Sequence, residues 1–153
     1  MIQGRAGALG QFALAEALHV RHGIGVRRRP RVGDEVSHRV TVTPEMTARL
    51  FDREVHPVYA TAWMVRHVEE AGRLLIEPHL EPDEDATGYS IRLTHERPAQ
   101  VGETVTVVAR VTDVDARKCT ADFEVLAKAG VVGRGTFVQR YVRRGRLSRE
   151  EPR

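Results

Sequence analysis

Residues 58–72 read VYATAWMVRHVEEAG, and the way this stretch folds decides the rest of the chain. With Met64 set at zero and about 100° per residue, Met64, Val65, Val68, Ala71, Gly72, Leu75 and Ile76 fill an arc from about −20° to about 120°. Trp63, His67 and Leu74 carry it back to about −100°. Only Glu69, Arg73, Arg66 and Glu70 remain, between about 140° and about 240°. The spacing predicts a long helix from about Thr61 to Glu77. A helix lying on a surface needs a narrower apolar stripe than this. The helix is therefore expected to be enfolded by a curved sheet, where close packing offsets the cost of Gly72, about 1 kcal/mol. Glu69 stands at the border of the apolar band. It is either one half of an exposed i,i+4 pair with Arg73, worth a few tenths of a kcal/mol, or a carboxylate placed for chemistry.

Strand patterns lie on both sides of the helix. Before it, Val36, His38, Val40 and Val42 alternate with Ser37, Arg39 and Thr41. TPEMTARLFDREVHP, residues 43–57, reads as a helical turn followed by a loop. After the helix comes PHLEPDEDAT, an acidic connection expected to be solvated. In GYSIRLTHE, Tyr89, Ile91, Leu93 and His95 share a face. Val105, Val107, Ala109 and Val111 do so in the next strand, and Cys119, Ala121, Phe123, Val125 and Ala127 in the one after. VVGRGTFVQRYV is the last. The short links DARK and AGV force antiparallel neighbours. The expectation is an α+β domain in which a five-stranded antiparallel sheet, four of its strands in a meander, wraps one helix.

The chain has 153 residues, enough for one domain with a sizeable core, and 41% are hydrophobic. The net charge of +3 hides a division: residues 1–31 carry +5, residues 140–153 carry +4, and the centre carries −6. A nucleic-acid-binding domain shows its basic face on the fold itself, so no nucleic-acid partner is expected. No apolar run reaches the roughly 20 residues of a membrane span. Cys119 is the sole cysteine, which suits a reducing cytoplasm. Residues 1–30 read as an extension, with an amphipathic pattern in GALGQFALAEALHVRH and an Arg-rich, acid-poor composition. The domain is assigned to residues 31–142 and a basic tail to 143–153.

Thr61, Glu69 and His95 are spaced by 8 and 26 residues, in the settings YATAWMV, VEEAG and TGYSIRLTH. Together these stretches resemble the fluoroacetyl-CoA thioesterase branch of the hotdog-fold acyl-CoA thioesterases, from about Arg31 to about Val142. The resemblance implies the hotdog fold, a long helix wrapped by an antiparallel sheet. It also implies a homodimer with active sites at the subunit interface, and an acyl-CoA substrate. By motif position it makes Thr61, Glu69 and His95 the catalytic set and gives Gly88 a backbone N–H near the thioester. The last strand departs from a pattern frequent among relatives, Gly-X-Gly-Thr-His-X-Arg. Phe137 stands in place of the histidine and Arg140 falls one position late, which bears on any CoA or acyl contact made from this strand.

Thioester hydrolysis needs a base or nucleophile and donors aimed at a developing oxyanion. Glu69 suits the first task. Beside an apolar wall, desolvation raises a carboxyl pKa towards that of a general base, and direct attack through a mixed anhydride is equally open. Thr61 is placed to act as an N-cap, as a catalytic hydroxyl, or as both. His95 would orient Glu69 or protonate the departing thiolate. No metal or cofactor site is expected: His19 and His22 lack partners at ligand spacing, and His38, His56, His67 and His79 are scattered. Cys119 reads as core, and the GRG at 133–135 as permitting close strand packing. The arginines at 134, 140, 143, 144 and 146 either meet CoA phosphates or form a solvated tail. The resemblance thus implies hydrolysis of a short-chain acyl-CoA, with a fluoroacetyl-like group among the candidates. The competing reading is a non-catalytic acyl-CoA-binding hotdog protein that senses or regulates. A hydratase would need an Asp/His pair that the sequence does not offer.

Overall fold

The computed structural model describes residues 28–147, so the amphipathic pattern with His19 and His22 lies outside the described residues. Strand β1 (Glu35–Thr41) is followed by a 3-10 turn (Pro44–Met46), β2 (Thr47–Leu50) and β3 (Arg53–Tyr59). Then come α1 (Thr61–Ile76), a second 3-10 turn (Glu77–His79), and β4 (Glu84–His95), β5 (Thr104–Val114), β6 (Lys118–Ala127) and β7 (Gly130–Arg143). Five strands form one antiparallel sheet in the order β1-β5-β6-β7-β4. This is the expected hotdog arrangement, with α1 against the sheet.

The alternation in the strands does the packing. Val105, Val107, Phe123 and Val125 turn inward onto Met64, Val68 and Ala71 of α1. A second cluster joins Leu75, Ile76 and Leu80 to Val111, Cys119 and Ala121. Cys119 is core, as expected, and burial pushes its thiol up to about 11.

Three expectations need correcting. The segment 43–57 is not a loop: β2 and β3 pair as a separate hairpin. Its turn residues Phe51 and Asp52 have φ of 53° and 61°, the tight-turn geometry that Asn-Gly usually announces. The last four strands are not a simple meander, because β4 pairs with β7 rather than β5 and forms the far edge of the sheet. Finally, Tyr89 does not share a face with Ile91. The β4–β7 register slips between Gly88 and Ser90, so Tyr89 turns out to solvent, 57% exposed. There the Arg140 guanidinium lies 3.4 Å above its ring. On α1, Leu74 is likewise exposed.

The acidic connection is solvated in part, with Pro82 and Asp83 exposed, and is also fastened. Arg73 holds Asp85 at 2.6 Å, Arg144 donates to the carbonyl oxygens of Pro82 and Glu84, and Arg29 grips Glu84 through two bonds of 2.7 and 2.6 Å. Arg29 also stacks on Tyr141, and the neighbouring Pro30 is fully buried. Among the described residues, Arg29 and Pro30 already pack onto the domain.

Candidate active site

Thr61 is the first residue of α1, but the N-cap is Ala60, which has extended backbone and no side-chain cap. The Thr61 hydroxyl turns instead to the sheet and meets His95 Nδ1 at 2.9 Å. Burial pushes His95 below its ordinary value of 6.5, with a weaker opposing pull from the Arg97 backbone, so the imidazole is neutral at pH 7. Its Nε2 is buried without a hydrogen-bond partner. A cavity of about 300 Å³ opens beside the pair, lined among others by His56, Tyr59, Arg97 and Pro98.

Glu69 lies two turns further along α1. It is exposed in the single chain and takes no hydrogen bond or ion pair among the described residues. The alternative pairing with Arg73 does not occur: Arg73 is engaged by Asp85 and Glu77. The Glu69 carboxylate instead overhangs Gly88 of β4, where a Cβ would stand 2.8 Å from Oε1. Gly88 has no side chain, and that leaves room for the carboxylate. The structure thus brings together two pairs, Thr61 with His95 and Glu69 with Gly88. It does not join the pairs to each other: eight residues of helix separate Thr61 from Glu69, about 12 Å at 1.5 Å per residue.

Behind Thr61 is a polar cluster that the sequence reading left out. The Tyr59 hydroxyl meets His67 Nδ1 at 2.7 Å, although only 1% of Tyr59 and 3% of His67 are exposed. Burial raises the phenol pKa and lowers that of His67, so Tyr59 donates and neutral His67 accepts. His38 of β1 sits edge-on to His67 and bonds Glu70 at 2.8 Å, and Glu70 also takes Arg66 at 3.0 Å. The Tyr59 ring stands edge-on to His95, centroids 6.1 Å apart. The available signal was His67 on the apolar arc of the helix, with His38 on the inward face of β1.

The glycines of β7 do what their spacing suggested. Gly133 faces Met64 of α1, and Gly135 lies against the Arg92 carbonyl of β4, leaving no room for a Cβ at either. Phe137, in the position where relatives often carry histidine, is buried. Gln139 donates to the Gly72 carbonyl at 2.9 Å. Of the tail arginines, Arg134 is held by Glu96 and Glu124. Among the described residues no group of three His, Cys, Asp or Glu side chains could hold a metal, and no helix is long and apolar enough to cross a membrane.

Comparison with known proteins agrees with this architecture. Residues 42–144 match the family described as fluoroacetyl-CoA-specific thioesterase. A fluoroacetyl-CoA thioesterase of Streptantibioticus cattleyicolor is 36% identical over 114 residues, 69% of this chain and 81% of the relative. A hypothetical protein of Thermus thermophilus, described as a thioesterase superfamily member, superposes with a TM-score of 0.73 at 38% identity, covering 76% of this chain and 86% of the other. A variant of the fluoroacetyl-CoA-specific thioesterase solved with fluoroacetate and CoA gives 0.70 at 31% identity, covering 73% and 94%. Fold and matches define the class, a thioesterase built on the hotdog fold. Within that class, the chain belongs to the fluoroacetyl-CoA-specific thioesterase family.

Proposed function

We propose that this protein hydrolyses a short-chain acyl-CoA thioester, fluoroacetyl-CoA or a congener of similar size, to the free acid and CoA. The observation that carries this reading is the unpaired Glu69 carboxylate poised over the bare backbone of Gly88. Glu69 either attacks the carbonyl carbon or takes the proton of an attacking water, and the Gly88 N–H steadies the oxyanion. His95, neutral and with a free buried nitrogen, orients the carboxylate or protonates the thiolate. Thr61 positions His95 through their hydrogen bond. No cofactor takes part. The single buried Cys119 suits a reducing cytoplasm.

The working unit is a homodimer. One chain separates Glu69 and Gly88 from Thr61 and His95, and β4 offers an edge whose ladder is used by β7 alone. Unpaired edges of this length are normally covered. If a two-fold axis crosses β4 between Ile91 and Arg92, Gly88 of one copy faces His95 of the other. Both pairs then line one cleft, and the second copy supplies the apolar enclosure that Glu69 lacks in a single chain.

Purified protein with fluoroacetyl-, acetyl-, propionyl-, butyryl- and hexanoyl-CoA and a thiol-reactive dye tests the reading. Thiol release should be fastest with the two- to four-carbon groups. Absence of release for every thioester would overturn it, and tight acyl-CoA binding without release would establish the non-catalytic reading instead.

A further inference from the structure

We infer that Phe137 sets the length of the acyl group the site accepts, an inference that rests on the thioesterase reading of Glu69 and Gly88. Phe137 lies on β7 opposite Ile91 of β4 and Ala121 of β6, and only 4% of it is exposed. Its ring is wedged between α1 and the sheet by two glycines. At Gly72 of α1 a Cβ would stand 2.5 Å from Phe137 Cε1, and at Gly88 of β4 one would stand 3.4 Å from Cε2 and Cζ. Any side chain at Gly72 would expel the ring, so the helix and the ring are fitted to each other.

The Gly88 position ties this wedge to the chemistry. The point that lies 3.4 Å from the ring lies 2.8 Å from Glu69 Oε1. A thioester carbonyl bound on the Gly88 side of that oxygen has the edge of Phe137 beside it. The ring is apolar, packed on both sides and held off the surface. An acyl chain growing inward past the carboxylate meets it within one or two carbons. A hydrophobic wall separates substrates by about tenfold or more per misplaced methylene, enough to define a short-chain enzyme. The ring's two close neighbours, Gly72 and Gly88, carry no side chain of their own there.

The test compares wild type with Phe137→Leu and Phe137→Ala across acetyl-, butyryl-, hexanoyl- and octanoyl-CoA, reading kcat/KM. Phe137→Leu keeps most of the packing volume and is the variant expected to fold if the alanine variant does not. The ratio of hexanoyl- to acetyl-CoA kcat/KM should rise at least tenfold in Phe137→Leu and further in a folded Phe137→Ala. An unchanged ratio in folded Phe137→Leu overturns the inference while leaving the hydrolase reading intact. A wild type inert towards every thioester overturns both.

Discussion

Thr61 and His95, 34 residues apart in sequence, are joined by a 2.9 Å bond between hydroxyl and Nδ1. That bond fastens the first turn of α1 to the end of β4. Because Ala60 and not Thr61 holds the N-cap position, the hydroxyl can be removed without uncapping the helix. Thr61→Val should leave thermal stability within about 1 kcal/mol of wild type and lower kcat about tenfold or more. Thr61→Ser should restore most of the loss. A Thr61→Val enzyme with wild-type kcat would remove Thr61 from the site.

On the proposed reading of Glu69, Glu69→Gln keeps the shape and removes the base or nucleophile. It should lower kcat by about a hundredfold or more with little change in substrate binding. Glu70 is no neutral control, since it holds His38 and Arg66. Glu124, half-exposed and 3.7 Å from Arg134, serves better, and Glu124→Gln should change nothing measurable in turnover.

Gly88→Ala separates space from stability. The new methyl group would stand 2.8 Å from Glu69 Oε1, and a flexible carboxylate can swing aside. Unfolding free energy should change by less than about 1 kcal/mol, while displacement of the carboxylate should cost at least about tenfold in kcat. Equal rates for the alanine variant and wild type would place the chemistry elsewhere.

Stability should fall in two steps on acidification. Burial holds His67 and His95 below their ordinary 6.5. Below that value the unfolded chain binds protons that the folded chain refuses, and stability is lost as pH drops. Glu84 and Asp85 are held below their ordinary 4.5 and 3.8, chiefly by hydrogen bonds from Arg29 and Arg73. Their contribution is present above those values and is lost only as pH falls below them. Tm against pH should thus be level between about pH 7 and about pH 8.5, decline below about 6.5 and steepen below about 4.5, and it should also fall at alkaline pH, where the unfolded chain releases the Cys119 and Tyr59 protons that the folded chain keeps. The paired change Tyr59→Phe, His67→Leu should shrink the first step, leaving the part due to His95. A first step unaltered by that pair would assign it to other groups.

Truncation should show where the domain begins. A chain starting at Arg28 keeps the Arg29–Glu84 clamp and buried Pro30. A chain starting at Arg31 loses both and should be less stable by about 1–3 kcal/mol, measured by urea unfolding. Equal midpoints would show that the clamp contributes nothing.

The sequence carried the helix and the main strands because burial writes itself into period. Val105, Val107, Ala109 and Val111 alternate and are all buried. The hairpin left no such mark. Arg53, Glu54, Val55 and His56 are all exposed, and its turn uses Phe51 and Asp52 where glycine would have signalled the bend. Tyr89 defeated the face assignment through one slipped register pair, a property of the β4–β7 partnership that neither strand shows alone. The resemblance put Thr61, Glu69 and His95 in one set with His95 serving Glu69, whereas within one chain the bond that His95 makes is to Thr61. The buried Tyr59–His67 bond did not follow, because polar residues on an apolar face are visible but their partners are not.

Gln139 reaches from β7 to the Gly72 carbonyl in the middle of α1, one turn beyond Glu69. That single bond works as an index pin: the helix can neither roll nor slide against the sheet without breaking it. The bearing of the carboxylate is thus set by the same strand that carries Phe137. On the proposed roles of Glu69 and Phe137, tuning which acid is admitted and tuning how fast it is released are therefore not separate adjustments. A change on β7 that shifts Gln139 along with Phe137 would also turn the helix that carries Glu69, so new acyl preferences should arise at the expense of rate until α1 itself is adjusted to match.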